Sequence, residues 1–120
     1  MLDAQELADR YVAVWNETDS ERRRLQIAAL WVPEGQHYVA LREVLGYAAL
    51  EQRITDSHNK SVRHGGNHFR AVKDARVLRD IVIFHWQMLP TAEDRIAAHG
   101  VIVLRVDAEG RILVDYQFVF

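Results

Sequence analysis

The chain has no cysteine. That excludes disulfides and thiolate metal sites, and it leaves the redox compartment unread. A surplus of one charge is missing too, since 15 basic residues stand against 17 acidic ones for a formal net charge of −2. Without a basic excess to neutralise phosphates, no nucleic-acid partner is expected. The one basic run, Arg22-Arg23-Arg24, follows a helix-start signal and reads as a solvated helix face. No segment approaches the roughly 20 apolar residues that span a bilayer, so no membrane partner is expected. Met1 to Arg10 holds three acidic residues and no apolar run, which does not fit a secretory signal and makes a cytoplasmic location the default expectation. There is no Ser-centred nucleophile elbow, no P-loop and no dinucleotide fingerprint. His64 and His68 are four apart, but Gly65-Gly66 between them argues against a helical metal pair. No histidine–carboxylate cluster has ligand spacing. Neither a metal nor a cofactor is expected.

What is present fits a single domain over 1–120, with ordinary globular composition and enough apolar side chains for a core. Leu7, Tyr11, Val14 and Trp15 recur at helical spacing, which predicts a first helix over about 3–16. Thr18 and Glu21 have capping-box spacing, with Asp19 and Ser20 as further caps. A second helix is expected over about 20–30, with Leu25, Ile27, Ala28 and Leu30 inward and Pro33 and Gly35 ending it. His37–Ala40 and Glu43–Leu45 read as short strands. Gly46 opens a third helix with Leu50, Ile54 and the Ser57/His58 turn on its apolar face, running out near 60–63 ahead of Gly65-Gly66. Four strands follow, over 68–77, 81–89, 96–106 and 112–120, with Asp107–Gly110 as a hairpin loop. Helices first and strands afterwards argue for α+β.

Ile81-Val82-Ile83-Phe84 and Val101-Ile102-Val103-Leu104 are apolar on both strand faces. An antiparallel sheet with one wet face would alternate. Three helices can cover only one side, so a second copy is the simplest cover for the other, and a homodimer through the sheet is expected.

Several local stretches carry a resemblance along the whole chain. They are Ala8-Asp9-Arg10-Tyr11-Val12 in the first helix, Gly46-Tyr47-Ala48-Ala49-Leu50 opening the third, and Val106-Asp107-Ala108-Glu109-Gly110-Arg111-Ile112 before the last strand. With the order of elements, they resemble the SnoaL-like and ketosteroid-isomerase-like superfamily, which also holds nuclear transport factor two. The resemblance implies an α+β fold in which three helices of the N-terminal half and a curved antiparallel sheet form a cone around an apolar pocket, a cystatin-like α+β barrel. The isomerases' acidic base would fall near Val39-Ala40, where there is no carboxylate, and their protonated oxyanion donor would fall at Ile102. Only their oxyanion-hole tyrosine has a counterpart, Tyr11. Steroid isomerisation is therefore not implied. The scaffold carries enzymes and binding modules alike.

The resemblance implies a cone lined by alternate strand residues. In the phase read from the Gly110-Arg111-Ile112 turn and the Phe84/Trp86 pattern, Phe84, Trp86, Met88, Ile102, Leu113, Asp115 and Gln117 face the interior, and Tyr11, Trp15 and His58 join them from the helices. His37 lines the pocket from the first strand, while His85 and His99 fall on the opposite face. Asp115 stands inside a strand, where aspartate is disfavoured. In an apolar pocket it would suit a general base, as the acid/base aspartate of SnoaL-type cyclases does. It could equally face solvent or pair with an arginine across a dimer. Tyr11 and His58 are candidate proton donors, or a core tyrosine and a satisfied helix-end histidine. The aromatic and aliphatic residues, with His37 and Gln117, are candidate ligand contacts. Two functions remain open. One is a cofactor-free isomerase, cyclase, dehydratase or hydrolase, a polyketide-cyclase or isomerase type of enzyme, acting on a mostly apolar carbonyl compound. The other is a non-catalytic module that binds a small apolar molecule or a protein.

Overall fold

A computed structural model describes residues 2–120. Asp3 caps the first helix, α1 (Ala4–Asn16), by accepting from the Glu6 amide at 3.0 Å, and Asp19 caps α2 (Ser20–Leu30) in the same way through Arg22. The apolar stripe of α1 buries Leu7, Ala8, Tyr11, Val12, Val14 and Trp15. On α2 the inward face differs from the expected one. Ile27 and Leu30 are buried, but the third buried residue is Arg23, at 3% exposure, whereas Leu25 is 58% exposed and Ala28 is exposed. Arg23 can be buried because its guanidinium is satisfied: Nε and Nη2 donate to the Glu17 carbonyl and Nη1 donates to Thr55 Oγ1. The basic run is thus solvated at Arg22 and Arg24 and buried at Arg23.

Strand β1 (Trp31–Val39) follows α2 at once, with Pro33 and Gly35 inside it at an irregular register instead of ending the helix. Strand β2 (Arg42–Leu45) pairs back on β1, and α3 (Gly46–Ser57) leads into a π-helical segment, His58–Arg63. Gly46 and Gly66 take φ of +83° and +68°, conformations in which a Cβ would be strained. The expected strand over 68–77 is two, β3 (Asn67–Ala71) and β4 (Arg76–Leu78). Side chains interrupt it. Gln5 donates to the Val72 carbonyl and accepts from the Ala75 amide, while Asp74 accepts from the His85 amide and ring. These bonds hold the backbone that a continuous ladder would have used. The remaining strands are β5 (Ile81–Pro90), β6 (Ala98–Val106) and β7 (Ile112–Val119).

The strand order is β2-β1-β7-β6-β5-β3, with β4 also on β5. Two expectations are corrected here. The curved sheet is mixed, because β1 runs parallel to β7, and it is open between its edges instead of closing into a barrel. The helices cover one face only. Val82, Phe84 and Trp86 of β5 and Gly100, Ile102, Leu104 and Val106 of β6 point beneath them. Among the described residues, no helix is long and apolar enough to cross a membrane.

Candidate functional site

Strand β7 carries the polar centre. A register shift opposite Arg105 and Val106 leaves Leu113 without a paired partner, so Ile112 is fully buried, Leu113 is half-buried, and the inward phase resumes at Asp115. The parallel register sets Asp115 beside His37 of β1, and Tyr11 of α1 lies across from both. Asp115 Oδ2 accepts from Tyr11 Oη at 2.6 Å and from His37 Nδ1 at 2.7 Å. Exposure is 3% for Tyr11 and 0% for His37 and Asp115. An ionised carboxylate only accepts, so the His37 proton on this bond sits on Nδ1. Asp115 Oδ1 and His37 Nε2 are buried and have no partner. Burial, and then the charge and hydrogen bond of Asp115, push the Tyr11 hydroxyl well above the usual tyrosine pKa.

A cavity of about 420 Å³ opens beside this centre, within the roughly 300–1,000 Å³ usual for small-molecule sites. Tyr11, Val12 and Trp15 of α1 line it, with Trp86 and Met88 of β5, Ile102 of β6 and Gln117 of β7. Of the other expected site residues, Asp115 and His37 stand behind the wall, reaching the cavity through Tyr11. Phe84 packs edge-on against the Tyr11 ring at 5.7 Å, and Leu113 lies at the bulge. His58 is elsewhere: buried at the start of the π-helical segment, its Nδ1 donates to the Trp15 carbonyl at 2.9 Å, tying that segment to the end of α1. It is not on the cavity lining.

Three cationic lining residues were not anticipated: Arg53, Arg42 and Lys60. Arg53 lies three residues after Leu50 and one before Ile54, on the shoulder of the buried face of α3, and that spacing was the available signal. Its guanidinium carbon sits 5.1 Å from the centre of the Trp15 ring. The π-helical segment brings Lys60 and Ser61 to the rim. Among the described residues, no three histidine or acidic side chains converge as a metal site would need.

Comparison with solved structures places this geometry in a known fold. A SnoaL-like family protein from Agrobacterium tumefaciens, proposed to be an isomerase, superposes with a TM-score of 0.85 at 23% identity, over 99% of each chain. An NTF2-like protein of unknown function from Exiguobacterium gives 0.70 at 16% identity, over 95% of this chain and 98% of that one. A protein from Sinorhizobium meliloti, proposed to be a polyketide cyclase, gives 0.71 at 8% identity, over 97% and 99%. The chain therefore has the SnoaL-like, NTF2-like fold that its sequence resembles. No protein-family model matches it, and no curated protein matches it in sequence.

Proposed function

We propose that the cavity is the active site of a cofactor-free acid–base enzyme that moves a proton next to a carbonyl group, as an isomerase, cyclase, dehydratase or hydrolase would. The observation that carries this reading is the single carboxylate oxygen of Asp115 shared by His37 and by Tyr11, the residue of the three that lines the cavity. Tyr11 is the member that faces the ligand. In one step, its oxygen takes a proton from the substrate carbon while its own proton passes to Asp115 Oδ2. His37, already bonded to that oxygen, steadies the carboxylate before the transfer and the carboxyl after it. In the reverse step the proton returns by the same path to another atom of the substrate. Tyr11 alone is a weak acid here, so the relay depends on Asp115 as the group whose charge changes. Trp15, Trp86, Met88 and Ile102 supply the apolar wall that keeps water from competing. Fold neighbours proposed to be an isomerase and a polyketide cyclase support this class of chemistry. The reading assumes a cytoplasmic protein.

The position of Asp115 and His37 behind the wall favours a second reading, in which the network is a clasp joining α1, β1 and β7 and the cavity only binds. Deuterium uptake separates the two. Incubated in D2O with a panel of apolar ketones, the wild-type protein should catalyse exchange at the carbon beside the carbonyl, read by NMR. Tyr11→Phe cuts the relay and should slow exchange by about 100-fold or more. A protein that binds these ketones without exchanging any of them is a binding module.

A further inference from the structure

The relay leaves the charge of the cavity wall unused. Three cationic side chains, Arg42, Arg53 and Lys60, stand on the lining against one carboxylate, Asp56. Arg53 reaches furthest in. It is half-buried, it lies over Trp15, and its Nε is buried without a hydrogen-bond partner. Its one hydrogen bond is a long one, from Nη2 to Gln117 Oε1 at 3.4 Å. Among the described residues, neither Arg53 nor Arg42 has a carboxylate at ion-pair distance. Burial, and next the like charge of Arg42, hold the Arg53 guanidinium below its ordinary pKa, while Tyr11, Asp115 and Asp56 act more weakly the other way. Asp115 attracts Arg53 only at longer range, with no contact between them at hydrogen-bond or ion-pair distance. A half-buried guanidinium with free donors, facing a second cation, lacks an anion. Its planar fork matches a carboxylate better than it matches any neutral group. Across from Arg53, Trp86, Met88 and Ile102 of the sheet supply apolar lining.

We infer that the cavity takes a small organic acid, its carboxylate held by Arg53 with Arg42 and Lys60 at the rim, and its apolar body against Trp15, Trp86 and Met88. This names the substrate class for the acid–base reading, and it rests on that reading only for the reaction.

Calorimetric titration with 1-naphthylacetate and with 1-naphthylacetamide, a neutral molecule of nearly the same shape, tests it. The wild-type protein should bind the acid at least about tenfold more tightly than the amide, the gain of one charge-assisted contact. Arg53→Gln should erase that preference by weakening the acid alone. Arg53→Lys keeps the charge without the fork and should fall between the two, which also guards against a glutamine variant that does not fold. Equal affinity for the two probes overturns the inference. So does failure of the acid to bind at millimolar concentration, or a preference undiminished in folded Arg53→Gln. Asp115→Asn should keep the preference. A protein that prefers the acid and exchanges no ketone proton defeats the acid–base reading and leaves this one standing.

Discussion

Asp115 uses one carboxylate oxygen twice and the other not at all. Its burial follows from a strand phase that aspartate alone made conspicuous in the sequence. The partner could not be read that way. His37 meets Asp115 only because β1 runs parallel to β7, a pairing 78 residues apart in the chain that no local pattern encodes. Arg53 was hidden for the opposite reason, since a charged residue beside Ile54 looks like the wet edge of an amphipathic helix. The Tyr11 hydroxyl gives a prediction at this scale. Its pKa is raised in the folded protein above the ordinary value of 10.0. As pH rises past that value the unfolded chain gives up this proton first, so the contribution of Tyr11 to stability is full below about pH 10 and is lost above it. Tyrosinate absorbance of wild-type protein and Tyr11→Phe should therefore coincide until the protein unfolds. An extra group ionising in the native wild type would contradict the buried bond to Asp115.

At the scale of elements, helical spacing and caps located α1 and α2 to within a residue at each end, because those signals are local. Strand ends were less legible. β3 and β4 part where Gln5, from a distant helix, takes over the hydrogen bonds of Val72 and Ala75. The bulge before Val114 displaces Leu113 from the expected phase, although Asp115 and Gln117 beyond it keep theirs. The β5–β6–β7 part of the cavity wall also depends on Gly100. A Cβ there would collide with the Phe118 carbonyl oxygen and lie 2.7 Å from Trp86 Nε1, whose indole N–H donates to that same carbonyl. Both obstacles are the backbone of a paired strand and a buried ring, which cannot swing aside. Gly100→Ala should cost about 3 kcal/mol or more, measured by urea unfolding, and should loosen the ligand wall at Trp86. A variant as stable as wild type would mean that β6 and β7 approach less closely than described.

For the whole molecule, the middle of the sheet face away from the helices remains apolar, between the charged pairs of His85 with Asp74 and Arg105 with Asp80. Ile83, Val103, Tyr116 and Tyr38 form a row across four strands, and the two tyrosine rings stack at 5.6 Å. Phe118 lies beside it, half exposed. The sequence announced this face through strands apolar on both sides. We propose that a second copy of the chain covers it, since a patch with so few charges is complementary to itself about a twofold axis. Light scattering at micromolar concentration should give twice the 13.9 kDa chain mass. Tyr116→Glu should return a monomer, whereas a monomeric wild type contradicts the proposal. The central claim is that this fold holds Asp115 as a working base behind the cavity wall, acting through Tyr11. Asp115→Asn tests it most directly, because asparagine keeps the size and, with its carbonyl oxygen at the Oδ2 position, still accepts from both Tyr11 and His37, but it does not take up the proton. Measured on a ketone that the wild-type protein exchanges in D2O, the variant should lose about 1,000-fold or more of the exchange rate, with its calorimetric affinity for that ketone nearly unchanged. A folded variant that exchanges as fast as wild type would show that Asp115 only fastens the strands to the helix.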